Sequence, residues 1–99
     1  MDTLKLMVTY KTKPGKREAF VNRLADTGIL GKIRAEKGCM YYDYYYSEKD
    51  PDELLLLEEW ESAEDQKVHM DQPHMKEMFS FKDDYCENTV LKKYVFSEQ

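Results

Sequence analysis

Cysteine and histidine are scarce in this sequence, with two of each among 99 residues. Cys39 and Cys86 are too few and too far apart along the chain to define a disulfide framework. We expect both to be free thiols that pack within the fold, as is usual in a reducing compartment. The sequence therefore argues against a small secreted scaffold held together by disulfides.

Long apolar runs and clusters of basic residues are also absent. No stretch approaches the ~18 apolar residues of a membrane-spanning helix. The amino terminus has no charged region followed by an apolar core, so we expect no signal peptide and a cytoplasmic location. The 15 basic residues are scattered in a chain of net charge −5. This distribution argues against a nucleic-acid backbone or an anionic membrane as partner.

The residues that are present indicate one small folded domain over residues 1–99. The chain is 35% charged and 13% aromatic, which is not the composition of a disordered protein. A domain of this length buries roughly 65% of the surface that its unfolded chain exposes. Its core is therefore small, and association with another chain would bury additional apolar surface.

Four segments have the pattern of β-strands. Apolar and polar residues alternate over residues 4–12, which predicts the first strand. The tyrosine-rich residues 39–47 and the leucine-rich residues 54–60 predict two more, joined by a turn. Residues 89–96, with the sequence TVLKKYVF, predict the last strand.

Helical patterns occupy the two remaining gaps. The first begins after Pro14-Gly15 and changes its apolar face beside Gly28 and Gly31, which predicts a kink or two helical pieces before a cap at Gly38. The second gap, between residues 62 and 81, predicts a helix that ends near residue 70 and a short helix that starts at a proline. The order β-α-β-β-α-β predicts an α+β, ferredoxin-like fold with an antiparallel sheet and helices on one side.

Such a sheet has one face that the helices do not cover. The alternation places a set of large apolar residues there: Met7, Tyr41, Tyr45, Leu55 and Leu57. This is a large apolar patch for a monomer. We therefore expect a homodimer in which two sheets pack face to face.

Several short motifs, taken together, resemble the antibiotic biosynthesis monooxygenase family, and most closely its small bacterial quinol monooxygenase branch. The resemblance covers nearly the whole chain. Its most specific part is the segment that runs from EWES through PHMK, with its histidine spacing. The residues that carry it are Lys13-Pro14-Gly15, Glu36-Lys37-Gly38-Cys39, Tyr42, Glu59-Trp60-Glu61-Ser62, His69 and Pro73-His74-Met75-Lys76.

The resemblance implies a dimeric α/β barrel of the ferredoxin-like type. It also implies the oxidation of a quinol or phenolic small molecule by molecular oxygen, without a metal, flavin or haem. Other branches of the family degrade haem or isomerise a phosphorylated signalling sugar. The haem-degrading branch uses an asparagine on the first strand, a helix tryptophan and a ligand histidine. The positions that match these three hold Val8, His69 and Phe79, so none has the needed side chain and haem degradation is disfavoured. A non-catalytic dimeric module that binds a small hydrophobic ligand is the alternative from another class.

A candidate pocket follows from the predicted faces. It would lie between the sheet and the second helical region, lined by Tyr42, Tyr44, Leu54, Leu56, Glu58, Trp60, Gln66, His69, Met70 and His74. Within it, His69 is the candidate catalytic base, because cofactor-free oxygenation needs a deprotonated phenol and histidine suits that proton transfer. The structural alternative is a histidine that binds Glu58 or a backbone carbonyl and packs a helix end.

The candidate substrate-binding residues are Tyr42, Trp60, His74 and Glu58. Trp60 could stack on an aromatic ring, although tryptophan is more often a core residue. His74 could line the pocket or simply cap a helix after the proline. Glu58 could orient His69 or reach solvent at the sheet edge.

A metal site would have to be built from His69, His74, Glu58 and Asp71. Two histidines separated in this way across a proline match no common zinc-ligand spacing. The spacing therefore predicts no metal site, and the family resemblance implies no other cofactor.

Overall fold

The computed structural model describes residues 3–93. Its elements along the chain are β1 (Leu4–Thr12), α1 (Arg17–Asp26), α2 (Ile29–Arg34), β2 (Cys39–Tyr46), β3 (Glu53–Trp60), α3 (Ala63–Met70), α4 (Pro73–Tyr85) and β4 (Cys86–Lys93). Among these residues, no helix is both long enough and apolar enough to cross a membrane.

The strands form one sheet in the order β2-β3-β1-β4, and every neighbouring pair is antiparallel. This is the strand arrangement of the ferredoxin-like fold. The α+β, ferredoxin-like prediction is therefore confirmed.

The first helical region consists of two pieces, α1 and α2, as the change of apolar face predicts. Gly28 precedes α2 with a φ of 80°, a left-handed conformation that glycine adopts without steric penalty. The turn lets Phe20 and Leu24 of α1 and Ile29 and Ile33 of α2 face the same core, in which all four side chains are fully buried.

The boundary between α4 and β4 differs from the sequence-based prediction. Helix α4 continues to Tyr85 rather than ending near Phe81, and β4 begins at Cys86 rather than at residue 89. No glycine or proline follows Phe81 to stop the helix, and the rings of Phe81 and Tyr85 pack with centroids 6.1 Å apart. The register then shifts so that Thr12 of β1 pairs with Cys86. Residues 94–96 of the predicted strand lie outside the described residues.

The core lies between the helices and one face of the sheet. Residues along β3 alternate between buried and half-buried, and Leu54, Leu56, Glu58 and Trp60 are the buried set. Helix α4 contributes a matching stripe of buried residues, Met75, Met78 and Phe81.

The opposite face of the sheet carries the apolar residues that the alternation predicts. Met7 lies opposite Leu57, and Leu55 lies between Thr9 and Tyr45. Met7, Leu55 and Leu57 are half-buried, and Tyr41 and Tyr45 are 41% and 40% exposed. We call this surface, with Met7, Tyr41, Tyr45, Leu55 and Leu57, the outer sheet face.

Candidate functional site

Three chain segments that are distant in sequence meet at one end of the helical layer. Glu36 lies in the turn between α2 and β2, His69 lies in the last turn of α3, and His74 lies in the first turn of α4. Local sequence explains each position. Ser62 caps α3 by accepting a hydrogen bond from the Asp65 amide, and Pro73 occupies the first turn of α4, where its missing N–H is not needed.

One carboxylate oxygen holds both histidines. Glu36 Oε2 is 2.8 Å from His69 Nδ1 and 2.8 Å from His74 Nε2. The side chains are 10%, 1% and 11% exposed for Glu36, His69 and His74 respectively. We call these three residues the Glu36 cluster. Since a buried carboxylate is stable only when it is paired, the two imidazoles are its principal stabilising contacts.

The contact with Glu36 fixes the chemistry of the His69 ring. A carboxylate accepts, so Nδ1 of His69 is the atom that donates the proton in this hydrogen bond. In the neutral ring the other nitrogen, Nε2, then has a free lone pair and can accept a proton. A carboxylate that orients a histidine in this way is a recurring arrangement in enzymes that use histidine as a general base.

Aromatic rings pack against the histidine on the sheet side. The ring of Trp60 lies with its centroid 4.6 Å from that of His69, at an interplanar angle of 36°, and the Tyr42 ring lies 5.7 Å away. Both aromatic residues are buried. The structure therefore brings Tyr42, Trp60 and His69 together, and His74 joins them through Glu36.

Glu58 binds Trp60 rather than His69. Its Oε1 accepts a hydrogen bond of 3.0 Å from Trp60 Nε1. Burial raises the pKa of the Glu58 carboxyl, and the charge of Glu36 raises it further, whereas the Trp60 hydrogen bond and His69 oppose the shift. The carboxylate that contacts the candidate base is Glu36. In the sequence, Glu36 stands out only as part of the Glu36-Lys37-Gly38-Cys39 motif, and its separation of 33 positions from His69 gives no sign of the contact.

Three neighbouring tyrosines form a polar patch inside the core. Tyr10 and Tyr44 have ring centroids 6.2 Å apart, and Tyr42 and Tyr44 have centroids 6.0 Å apart. Burial raises the pKa of all three hydroxyls well above the usual value of 10.0. All three are therefore neutral phenols at physiological pH, and the Tyr42 ring is the one that packs against His69.

The interior that the sequence analysis assigned to a pocket is filled with side chains. Leu54, Leu56 and Trp60 are fully buried in the core, and Met70 is 39% exposed. Gln66 is half-buried. The residues that would line an open cleft on the sheet side are thus packed against the helices instead.

Surface cavities lie next to this region. One of about 490 Å³ is lined by Tyr42 together with Arg34, Cys39, Met40, Tyr41 and Asp43. Another, of about 250 Å³, is lined by Glu58 with Lys5, Leu6, Tyr41, Leu57 and Glu59. Neither of these cavities, formed by residues within 3–93, is lined by His69 or His74. Tyr42 is thus the residue that both borders the larger cavity and contacts the His69 ring.

The arrangement can move a proton. Its parts are a buried imidazole with one nitrogen held by a carboxylate, two aromatic side chains against that ring, and an adjoining cavity large enough for an aromatic ring. The same three residues of the Glu36 cluster also offer metal-ligating atoms within 4.8 Å of one another.

Comparison with known proteins gives consistent matches. The family model described as antibiotic biosynthesis monooxygenase matches residues 3–80. The probable quinol monooxygenase YgiN of Escherichia coli (strain K12) is 28% identical over 83 residues, which cover 74% of this chain and 78% of that protein.

Solved structures match the fold over almost the whole chain. PA3566 from Pseudomonas aeruginosa has a TM-score of 0.86 at 21% identity and covers 99% of this chain and 97% of its own. Rv0793 from Mycobacterium tuberculosis has a TM-score of 0.82 at 22% identity, with 99% and 98% covered. At these identities the likeness is one of fold.

Proposed function

We propose that this chain, which belongs to the antibiotic biosynthesis monooxygenase family, is a cofactor-independent monooxygenase that acts on a quinol or polyphenolic small molecule. The observation that carries the proposal is the buried Glu36–His69 pair, 2.8 Å long, packed against Trp60 and Tyr42. The distant likeness to a probable quinol monooxygenase supports the same substrate class.

In the proposed reaction, His69 is the general base. Its Nε2 takes a proton from a phenolic hydroxyl, and Glu36 stabilises the imidazolium that forms. The quinolate passes one electron to O₂, and the two radicals combine at a ring carbon. Breakage of the O–O bond leaves one oxygen atom on the ring and releases the other as water. Quinol and O₂ thus give hydroxyquinone and water.

The remaining site residues have binding roles in this proposal. Trp60 stacks against the substrate or holds the His69 ring in place, and His74 shares the Glu36 carboxylate and so limits its motion. Glu58 fixes the Trp60 indole through the 3.0 Å hydrogen bond. Tyr42 separates the 490 Å³ cavity from His69, so a substrate in that cavity reaches the base when the Tyr42 ring moves aside.

The working form that we propose is a cytoplasmic homodimer. The outer sheet face exposes Tyr41 and Tyr45 and leaves Leu55, Leu57 and Met7 half-buried. A second copy of the chain would bury these residues if the same face of each chain met about a two-fold axis, which is the arrangement of most homodimers.

Oxygen uptake with reduced menadione tests the function. The wild-type protein is expected to consume O₂ above the rate of spontaneous oxidation. His69→Gln is expected to lower that rate roughly 100-fold or more, the usual contribution of a general base. Asp71→Asn, at an exposed position near the cluster, is the matched control and is expected to retain full activity. Full activity in His69→Gln would exclude His69 as the base.

The filled interior favours one competing function. Since the cavities beside Tyr42 and Glu58 are not lined by His69, a non-catalytic module that binds a small aromatic ligand in the larger cavity is the second candidate. Saturable binding of menadione without any oxygen uptake by the wild-type protein would favour it.

A further inference from the structure

We propose that Glu36, His69 and His74 form a binding site for a divalent transition metal ion of the Zn²⁺ type. The three side chains come from the turn after α2, the end of α3 and the start of α4. Their ligand atoms all lie within 4.8 Å of one another. Two imidazole nitrogens and one carboxylate oxygen are a ligand set that suits zinc, cobalt, nickel and iron.

The ligand separations of a metal centre lie between the shortest and the longest distances within the Glu36 cluster. Glu36 Oε2 lies 2.8 Å from each ring nitrogen. Ligands that are about 2.1 Å from a tetrahedral ion lie about 3.4 Å from each other. Each nitrogen would move about 0.6 Å away from the oxygen, and ligand atoms that are now up to 4.8 Å apart would close towards about 3.4 Å. A turn and two helix ends supply the three side chains, and such segments can adjust by that amount.

The local charge also suits a dication. Glu36 supplies one negative charge directly to the site. Glu58 lies close enough to interact electrostatically with both Glu36 and His69. Binding of a divalent ion would place positive charge beside two carboxyl groups that are both largely buried.

The sequence does not predict this metal site, because the spacing of the three ligands along the chain matches no known motif. The histidines alone match no zinc motif, and the candidate acids on the same segment were Glu58 and Asp71. In the structure, Glu58 binds Trp60 and Asp71 is exposed. The third ligand comes from Glu36, which only the fold brings to the histidines.

Metal binding and the base role of His69 exclude each other. A metal ion on Nδ1 of His69 leaves the ring proton on Nε2, the nitrogen that would otherwise accept the substrate proton. Three protein ligands leave a fourth position for water. The loaded site is therefore expected to suppress the oxygenation proposed above, although binding itself does not depend on that activity.

The only tryptophan of the chain offers a direct probe. Trp60 lies 4.6 Å from the His69 ring, so a paramagnetic Co²⁺ ion in the cluster is expected to quench its fluorescence. After treatment with a chelator and dialysis, titration of the wild-type protein with Co²⁺ is expected to give saturable quenching with one ion per chain. Added Zn²⁺ is expected to reverse the quenching by competition.

Variants locate the ion. Glu36→Gln keeps the size of the side chain but removes its charge, and His74→Asn removes a ligand at the less buried histidine. Both are expected to weaken Co²⁺ binding by more than the roughly 10–100-fold that loss of an outer-sphere partner causes, while Asp71→Asn binds as the wild type does. Circular dichroism checks that each variant is folded. An absence of saturable quenching in the wild type, or equal affinity in Glu36→Gln, would overturn the proposal, and neither result depends on quinol turnover.

Discussion

Single residues define the candidate site, and the sequence alone distinguishes only some of them. His69 stands out because the chain has two histidines, and Trp60 because it is the only tryptophan. Glu36 is one of many acidic residues and has no distinguishing spacing. Its place in the candidate site follows from tertiary contacts with residues 33 and 38 positions away, and helical or strand periodicity carries no information about such contacts.

Glu58 gives a prediction at this scale. Burial raises its carboxyl pKa above the usual 4.5, so the folded protein binds the proton more tightly than the unfolded chain does. Its stabilising contribution is therefore complete below the usual pKa and is lost as the pH rises through the folded pKa. The glutamine side chain of Glu58→Gln can still accept the hydrogen bond from Trp60 Nε1, but it does not titrate. We expect its free energy of unfolding, relative to the wild type, to rise between pH 4.5 and pH 7.

Urea denaturation at a series of pH values measures this difference. Glu61→Gln, at an exposed position of the next segment, is the control and is expected to follow the wild-type pH dependence. If the unfolding free energies of Glu58→Gln and the wild type change in parallel across the whole pH range, ionisation of the Glu58 carboxyl does not destabilise the folded protein as expected.

Elements and their boundaries were predicted where the pattern was long and regular. The alternation in β1 and β3 and the break at Gly28 are all present in the structure. The end of α4 was predicted too early, because the packing of Tyr85 against Phe20 and Phe81 extends the helix beyond the residues that the pattern assigned to it. Tertiary contacts of this kind are not visible in a local sequence window.

The turn that carries Gly38 couples α3 to the sheet. Gly38 has a φ of 83°, and a Cβ on this residue would lie 2.3 Å from Asp65 Oδ2 and 2.7 Å from Asp65 Cβ. Its carbonyl accepts a 2.8 Å hydrogen bond from the Glu61 amide. Glycine at this position therefore lets the start of α3, and with it His69, approach β2 and Glu36.

Two glycine substitutions separate backbone strain from this close approach. Gly15 also has a positive φ, 75°, but a Cβ there would meet no atom within 4 Å. Gly15→Ala is expected to cost about 1–2 kcal/mol in unfolding free energy from strain alone. Gly38→Ala adds overpacking and is expected to cost about 2–5 kcal/mol. Thermal or urea denaturation measures both losses. If Gly15→Ala and Gly38→Ala lose the same unfolding free energy, the Asp65 side chain moves aside without a measurable cost.

At the scale of the whole molecule, the antiparallel sheet of the ferredoxin-like fold followed from the order of strands and helices along the chain, and the apolar outer sheet face followed from residue alternation. The filled interior did not, because a pattern of apolar residues is the same for a packed core and for a lined cavity. What distinguishes them is the fit of side chains such as Trp60 and Leu56, both of which are fully buried. That fit depends on three-dimensional packing.

The outer sheet face leads to a prediction about association. Leu55→Glu places a charge between Thr9 and Tyr45 in the middle of that face. If two copies pair there, sedimentation equilibrium at micromolar concentration is expected to show a dimer for the wild type and a monomer for this variant. Val68→Glu on α3, at a residue that is 49% exposed, is the control and is expected to remain dimeric. A monomeric wild-type protein would contradict the pairing.

The central claim is that His69, held by Glu36, removes the proton from a bound quinol before oxygen reacts. Stopped-flow absorbance measures this step most directly: the protein is mixed with reduced menadione without oxygen, and air is admitted afterwards. The account predicts quinolate absorbance in the wild type that decays to hydroxyquinone only under air, and no quinolate in His69→Gln. Equal quinolate formation in the two proteins, or oxidation by the wild type without it, would contradict the claim.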